Sequence, residues 1–221
     1  MTRTLSHPPA GSDVGLDDMQ HFVLEDASWD IYEKLLREVG NRPIRLTYDN
    51  GRLEIMSPLP EHERPKKIIG RMIEMLAFEL DVSMVSMGST TFSRRDKAKG
   101  LEPDECYYFK NEQRMRGRKR LDMKKDPPPD LVVEIDITSR SIDREPIYAA
   151  LGVPEVWRYD GHRLQCLHLQ SGEYHARKHS LAFPFLEPAQ LQRFLDMLPQ
   201  QDETSIIKAF VAWVRKNQWA V

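Results

Sequence analysis

The segment Pro127-Pro-Pro-Asp-Leu-Val-Val-Glu-Ile-Asp-Ile137 constrains this chain more than any other. Its prolines interrupt regular structure, and the short Leu/Val/Ile run behind them reads as a buried strand. Such a strand should not hold carboxylates, because burying an ionised one is costly unless it is paired or coordinated. This one holds Glu134 and Asp136, which strand alternation directs to the same side. A third acid, Asp104, follows Pro103 at the head of another apolar stretch. If the two stretches are neighbours, three carboxylates converge, and an all-oxygen donor set suits a hard divalent cation such as Mg2+ or Mn2+.

The remainder predicts a single α/β domain, a mixed central β-sheet flanked by helices. Ser28 caps a helix that Gly40 ends, and Asp49-Asn-Gly51 joins two strands, 43–48 and 52–56, into a hairpin. Apolar residues recur at Ile68, Ile69, Met72, Ile73, Leu76 and Leu80, an amphipathic helix over 62–80. Strands are expected within 82–92, 105–109 and 131–137, and a short helix at 147–151 with Pro146 in its first turn. Asp160-Gly161 marks a second hairpin, 174–178 adds a strand, and 191–198 and 205–219 read as helices. With 221 residues one domain over 21–221 is the natural reading, and the Pro/Gly/Ser/Thr-rich stretch 1–20 is expected to be disordered.

Composition excludes more than it selects. The formal net charge of −2 leaves no global basic signal for nucleic acid, so any such surface must be local. No apolar run has the length of a membrane span, and 1–18 lacks the apolar centre of a signal peptide, so a cytoplasmic protein is expected. Cys106 and Cys166 give neither a disulfide framework nor zinc spacing. Phosphate loops and nucleophile elbows are missing.

A cation held by Asp104 and Glu134 would serve phosphodiester cleavage, with Glu54 and Asp136 as further acids. Taken alone, Glu54 is more simply an exposed charge on a strand, and His62 a surface histidine at a helix start rather than a phosphate contact. The stretch 110–125 carries eight basic and two acidic side chains. Arg114, Arg116, Arg118, Lys119 and Arg120 are candidate phosphate contacts, or a solvated loop. Lying between Asp104 and Glu134 in sequence, this loop is expected to start and end beside the site. His175 and His179, four apart, would suit a metal on a helix, but their segment reads as a strand.

Four segments in combination resemble a known family: 51–62 (Gly-Arg-Leu-Glu-Ile-Met-Ser-Pro-Leu-Pro-Glu-His), 101–104 (Leu-Glu-Pro-Asp), 129–134 (Pro-Asp-Leu-Val-Val-Glu) and 147–157 (Ile-Tyr-Ala-Ala-Leu-Gly-Val-Pro-Glu-Val-Trp). They look like the Uma-type family of putative restriction endonucleases, within the PD-(D/E)xK nuclease superfamily. The resemblance implies a restriction-endonuclease-like core, DNA as substrate, and Asp104 and Glu134 as the metal-binding acids. It implies a further acid at Glu54. The superfamily's lysine would stand two residues after Glu134, where this chain has Asp136, or four before Tyr148, where it has Arg144. Arginine stays protonated, so Arg144 can steady a phosphate but not move a proton. Two readings follow: a Mg2+-dependent DNA endonuclease, and a catalytically silent nuclease fold that binds nucleic acid or a protein partner. A homodimer would suit the first, since two strands of a duplex need two sites.

Overall fold

The structure is a computed structural model that describes residues 21–40, 42–57, 60–118, 121–137 and 141–217. The stretch expected to be disordered, 1–20, lies outside the described residues. Elements follow in the order β1 (His21–Leu24), α1 (Trp29–Val39), β2 (Arg45–Asp49), β3 (Arg52–Met56), α2 (Pro60–Glu79), β4 (Val85–Ser86), β5 (Phe92–Arg94) and β6 (Lys99–Leu101). Then come β7 (Glu105–Tyr108), α3 (Glu112–Met115), β8 (Leu131–Ile135), α4 (Glu145–Leu151), β9 (Glu155–Tyr159), β10 (Leu164–Gln170), β11 (Glu173–Arg177), α5 (Gln192–Leu195) and α6 (Glu203–Asn217).

Local chemistry sets most of these boundaries. The Ser28 side chain accepts from the Ile31 amide at 3.3 Å and caps α1. Asn50 and Gly51 both take positive φ, as the tight β2–β3 turn requires. Gly152 ends α4 at φ 82°.

The expected mixed sheet is present: six strands in the order β11-β10-β9-β8-β7-β4, antiparallel except for the parallel pair β8–β9. A parallel pair needs a crossover, and α4 supplies it. What the sequence did not separate is a second, antiparallel sheet in the order β1-β3-β2-β6-β5. β4 and β5, a few residues apart, enter different sheets.

β8 is buried along its whole length because both faces of its sheet are covered. Leu131, Val133 and Ile135 pack with α2 and α6 through Ile69, Met72, Ile73, Ile206 and Phe210. Val132 faces the other way, into a cluster with Ile147, Tyr148 and Leu151 of α4 and Phe92 and Leu101 of the five-stranded sheet. Glu134 shares that second face, and the junction of sheet, α4 and the other sheet is where the site forms.

Candidate active site

The register of the β7–β8 ladder brings the two acids together. Glu105 pairs with Val133 and Cys106 with Val132, so the next pair outward places Asp104 opposite Glu134. Beyond the last ladder pair the Ile135 amide donates instead to the Asp104 side chain, at Oδ2, 2.7 Å away. Like charges directly opposite one another are destabilising, and both are buried, Asp104 at 2% and Glu134 at 3% exposure. Each is therefore matched by an arginine. Arg45 of β2, also buried, donates through Nη1 to Asp104 Oδ1. Arg144, at the start of α4, donates through Nη1 to Glu134 Oε2 at 2.9 Å and Oε1 at 3.1 Å. The Tyr148 hydroxyl adds a hydrogen bond to Glu134 Oε1. Burial by itself would lower the Arg45 pKa; Asp104 foremost, with Glu134 and Glu102, raises it instead, so the guanidinium sits in a strongly negative field.

Glu54 is the third acid, and it is not the exposed strand charge it resembles in isolation. It is 1% exposed, on the same hairpin face as Arg45, and its Oε1 accepts from the Ser141 amide at 3.0 Å. Its Oε2 is buried with no hydrogen-bond partner among the described residues. Asp136 lies just beyond β8 and lines a cavity of about 360 Å³ with Glu134, Ser141, Arg144, Tyr148 and Arg158. Arg144 Nε and Nη2 are likewise buried without partners. His62, expected at the surface, is buried at the start of α2.

The basic loop is placed differently from its sequence position. It leaves β7 after Tyr108 and returns at Leu131, so it joins the end of the hairpin away from Asp104 and Glu134. The reason is geometric: β7 runs away from Asp104, and β8 runs back toward Glu134. Arg116 pairs with Glu112 at 2.6 Å, Arg118 with Asp126 at 3.1 Å, and Arg114 donates to the Lys125 carbonyl. Lys119 and Arg120 lie outside the described residues. His175 sits on β11, as its strand reading required.

Nothing in the sequence marks Arg45 as part of the site. Its only signal was a basic residue on a strand of otherwise ordinary alternation, and the 59 residues separating it from Asp104 hide the contact.

The donor set fits a hard divalent cation in chemistry. All its donors are oxygens, and Glu54 Oε2 has no hydrogen-bond partner among the described residues. In this arrangement, though, Asp104 and Glu134 are each engaged by an arginine. The described side chains with metal-ligand atoms all within 4.8 Å of one another are Glu155, Cys166 and His168, not Glu54, Asp104 and Glu134.

Fold and site define a mixed α/β protein with a cluster of buried acids at the end of its central sheet. Residues 29–199 match the model of the Uma2 family, described as "Putative restriction endonuclease", and the chain belongs to that family. A solved structure described as a putative nuclease belonging to DUF820, from Anabaena variabilis ATCC 29413, is similar at 13% identity and a TM-score of 0.48. That similarity covers 72% of this chain and 94% of that one. No curated protein matches. Among the described residues no helix is long and apolar enough to cross a membrane.

Proposed function

We propose that this chain is a divalent-cation-dependent endonuclease that hydrolyses DNA phosphodiester bonds at the Asp104–Glu134 cleft. The observation that carries the reading is a set of unmet valences around the cavity that Glu134, Ser141 and Arg144 line: a buried carboxylate oxygen, Oε2 of the Glu54 that binds Ser141, and two buried donors, Arg144 Nε and Nη2. The first calls for a cation and the second for an anion, which a metal and a phosphodiester supply together.

Glu54, Asp104 and Glu134 would hold Mg2+ or Mn2+, with Asp136 at the rim. When bound, such an ion polarises the phosphoryl oxygen and lowers the pKa of a water. The chain's own residues do the rest. Arg45 and the Ile135 amide fix Asp104, while Tyr148 and Arg144 fix Glu134. The unpartnered face of Arg144, with Arg158 on the same cavity, meets the phosphate oxygens, where fixed positive charge stabilises the transition state. A second copy would present a second site to the other strand of a duplex.

One feature favours a second reading, a silent nuclease fold that retains DNA without cutting it. Both acids are already neutralised by arginine, and a guanidinium at 144 cannot take a proton from water.

The test is cleavage of supercoiled plasmid and linear DNA with Mg2+ or Mn2+ by the wild type, Asp104→Ala and Glu134→Ala. Nicking by the wild type that falls at least a hundredfold in both variants supports the nuclease. Absence of nicking in the wild type, or equal nicking in all three, overturns it. DNA retention without nicking, weakening steeply as salt rises, is the outcome the silent fold predicts.

A further inference from the structure

On the other face of the six-stranded sheet, we propose, Glu155, Cys166 and His168 form a second metal site, for a borderline-soft divalent ion of the zinc class. The inference does not depend on the nuclease reading. In the β9–β10 ladder His168 pairs with Glu155 and Cys166 with Trp157, so all four side chains share one face. Strand alternation sends Val156 and Arg158 to the opposite face, where they line the active-site cavity.

The ligand atoms are already close to coordination spacing. Cys166 Sγ lies 3.2 Å from Glu155 Oε1 and 3.4 Å from His168 Nε2. With Zn–S near ~2.3 Å and Zn–N or Zn–O near ~2.0 Å, tetrahedral ligands sit at about these separations. Thiolate, imidazole and carboxylate together select zinc over Mg2+, which wants oxygens alone.

Charge gives the independent argument. Glu155 is 0% exposed, and no ion pair to it occurs among the described residues. It accepts from the Leu181 and Ala182 amides at 2.9 Å each, from Trp157 Nε1 at 2.7 Å, and from the Cys166 thiol. Those four donors are all neutral groups, so no cationic side chain among the described residues answers this buried carboxyl. A divalent ion replaces the Cys166 proton, which passes to solvent. Glu155 carboxylate, Cys166 thiolate, neutral His168 and Zn2+ then sum to zero. Through Glu155, the ion would pin β9 and β10 to the segment that leads into α5 and α6.

The experiment is a cobalt titration of chelator-stripped protein in excess Mg2+, which saturates oxygen-only sites. A thiolate-to-cobalt charge-transfer band that saturates at one equivalent is expected in the wild type and in Cys106→Ser, and its loss in Cys166→Ser and His168→Ala. Zn2+ should abolish the band by competition and raise the wild-type melting temperature. No band in the wild type, a band surviving in Cys166→Ser, or no thermal shift with Zn2+ overturns the site. Should Cys166→Ser fail to fold, the wild-type titration and His168→Ala still decide.

Discussion

Asp104 and Glu134 face each other across the end of a ladder, and the pair is tolerable only because Arg45 and Arg144 answer it. Removing one partner of a buried pair strands the other charge, which costs about 3–5 kcal/mol. Arg45→Met should therefore destabilise by about that much in urea unfolding, and Arg45→Met with Asp104→Leu should recover a large part of the loss. An additive double variant would show that the pair is not coupled. Arg144→Lys probes chemistry rather than stability. If a fixed guanidinium limits water activation, lysine should raise the plasmid-nicking rate, and an unchanged or lower rate would assign Arg144 to phosphate binding alone. At this scale the sequence showed which acids were anomalous, since carboxylates in Leu-Val-Val-Glu-Ile contradict their surroundings. It could not show Arg45, because an arginine on a strand is unremarkable until register and packing bring it to Asp104.

Beside Asp104, β7 opens on a further acid whose position costs energy. The Glu105 carboxyl is pushed above the usual carboxylate range, first by burial, with Glu74 and Asp104 adding and Lys66 opposing. A raised pKa means the folded state disfavours the ionised form, so stability from this group is present at acid pH and lost as pH rises through the folded pKa. Glu105→Gln should raise the melting temperature at neutral pH, and the gain should vanish below the ordinary carboxylate range. An equal gain at both would rule out ionisation as the cause. β6 offers a packing test. A Cβ on Gly100 would sit 2.7 Å or less from three ring and hydroxyl atoms of Tyr32, a fully buried side chain of α1. Gly100→Ala should cost about 1–3 kcal/mol through overpacking, read as a lower urea midpoint. The hairpins were legible because Asp49-Asn-Gly51 and Asp160-Gly161 encode their turns locally. The partition of β4 and β5 between sheets was not, since both are too short to carry a pattern and only their partners assign them.

The two sheets share one cluster. Phe92 and Leu101 from the five-stranded sheet pack with Val132, Ile147 and Val156 around the six-stranded one, and the Arg45–Asp104 and Glu54–Ser141 contacts cross the same junction. Tryptophan fluorescence and far-ultraviolet circular dichroism should therefore report one coincident unfolding transition. Two separated transitions would mean that the sheets fold independently and the site is assembled late. Across the whole chain, the sequence by itself determined the type of the longer elements, the family and the identity of the anomalous acids, because periodicity, turn chemistry and burial cost are local properties. The short β1, β6 and α3 carried no such pattern and were not expected. Tertiary structure alone decided that Asp104 stands opposite Glu134 and that Glu54 is buried. It also placed the basic loop at the far end of the hairpin and gave each facing acid an arginine. Those facts depend on strand register and on contacts between residues far apart in sequence, which no local pattern encodes.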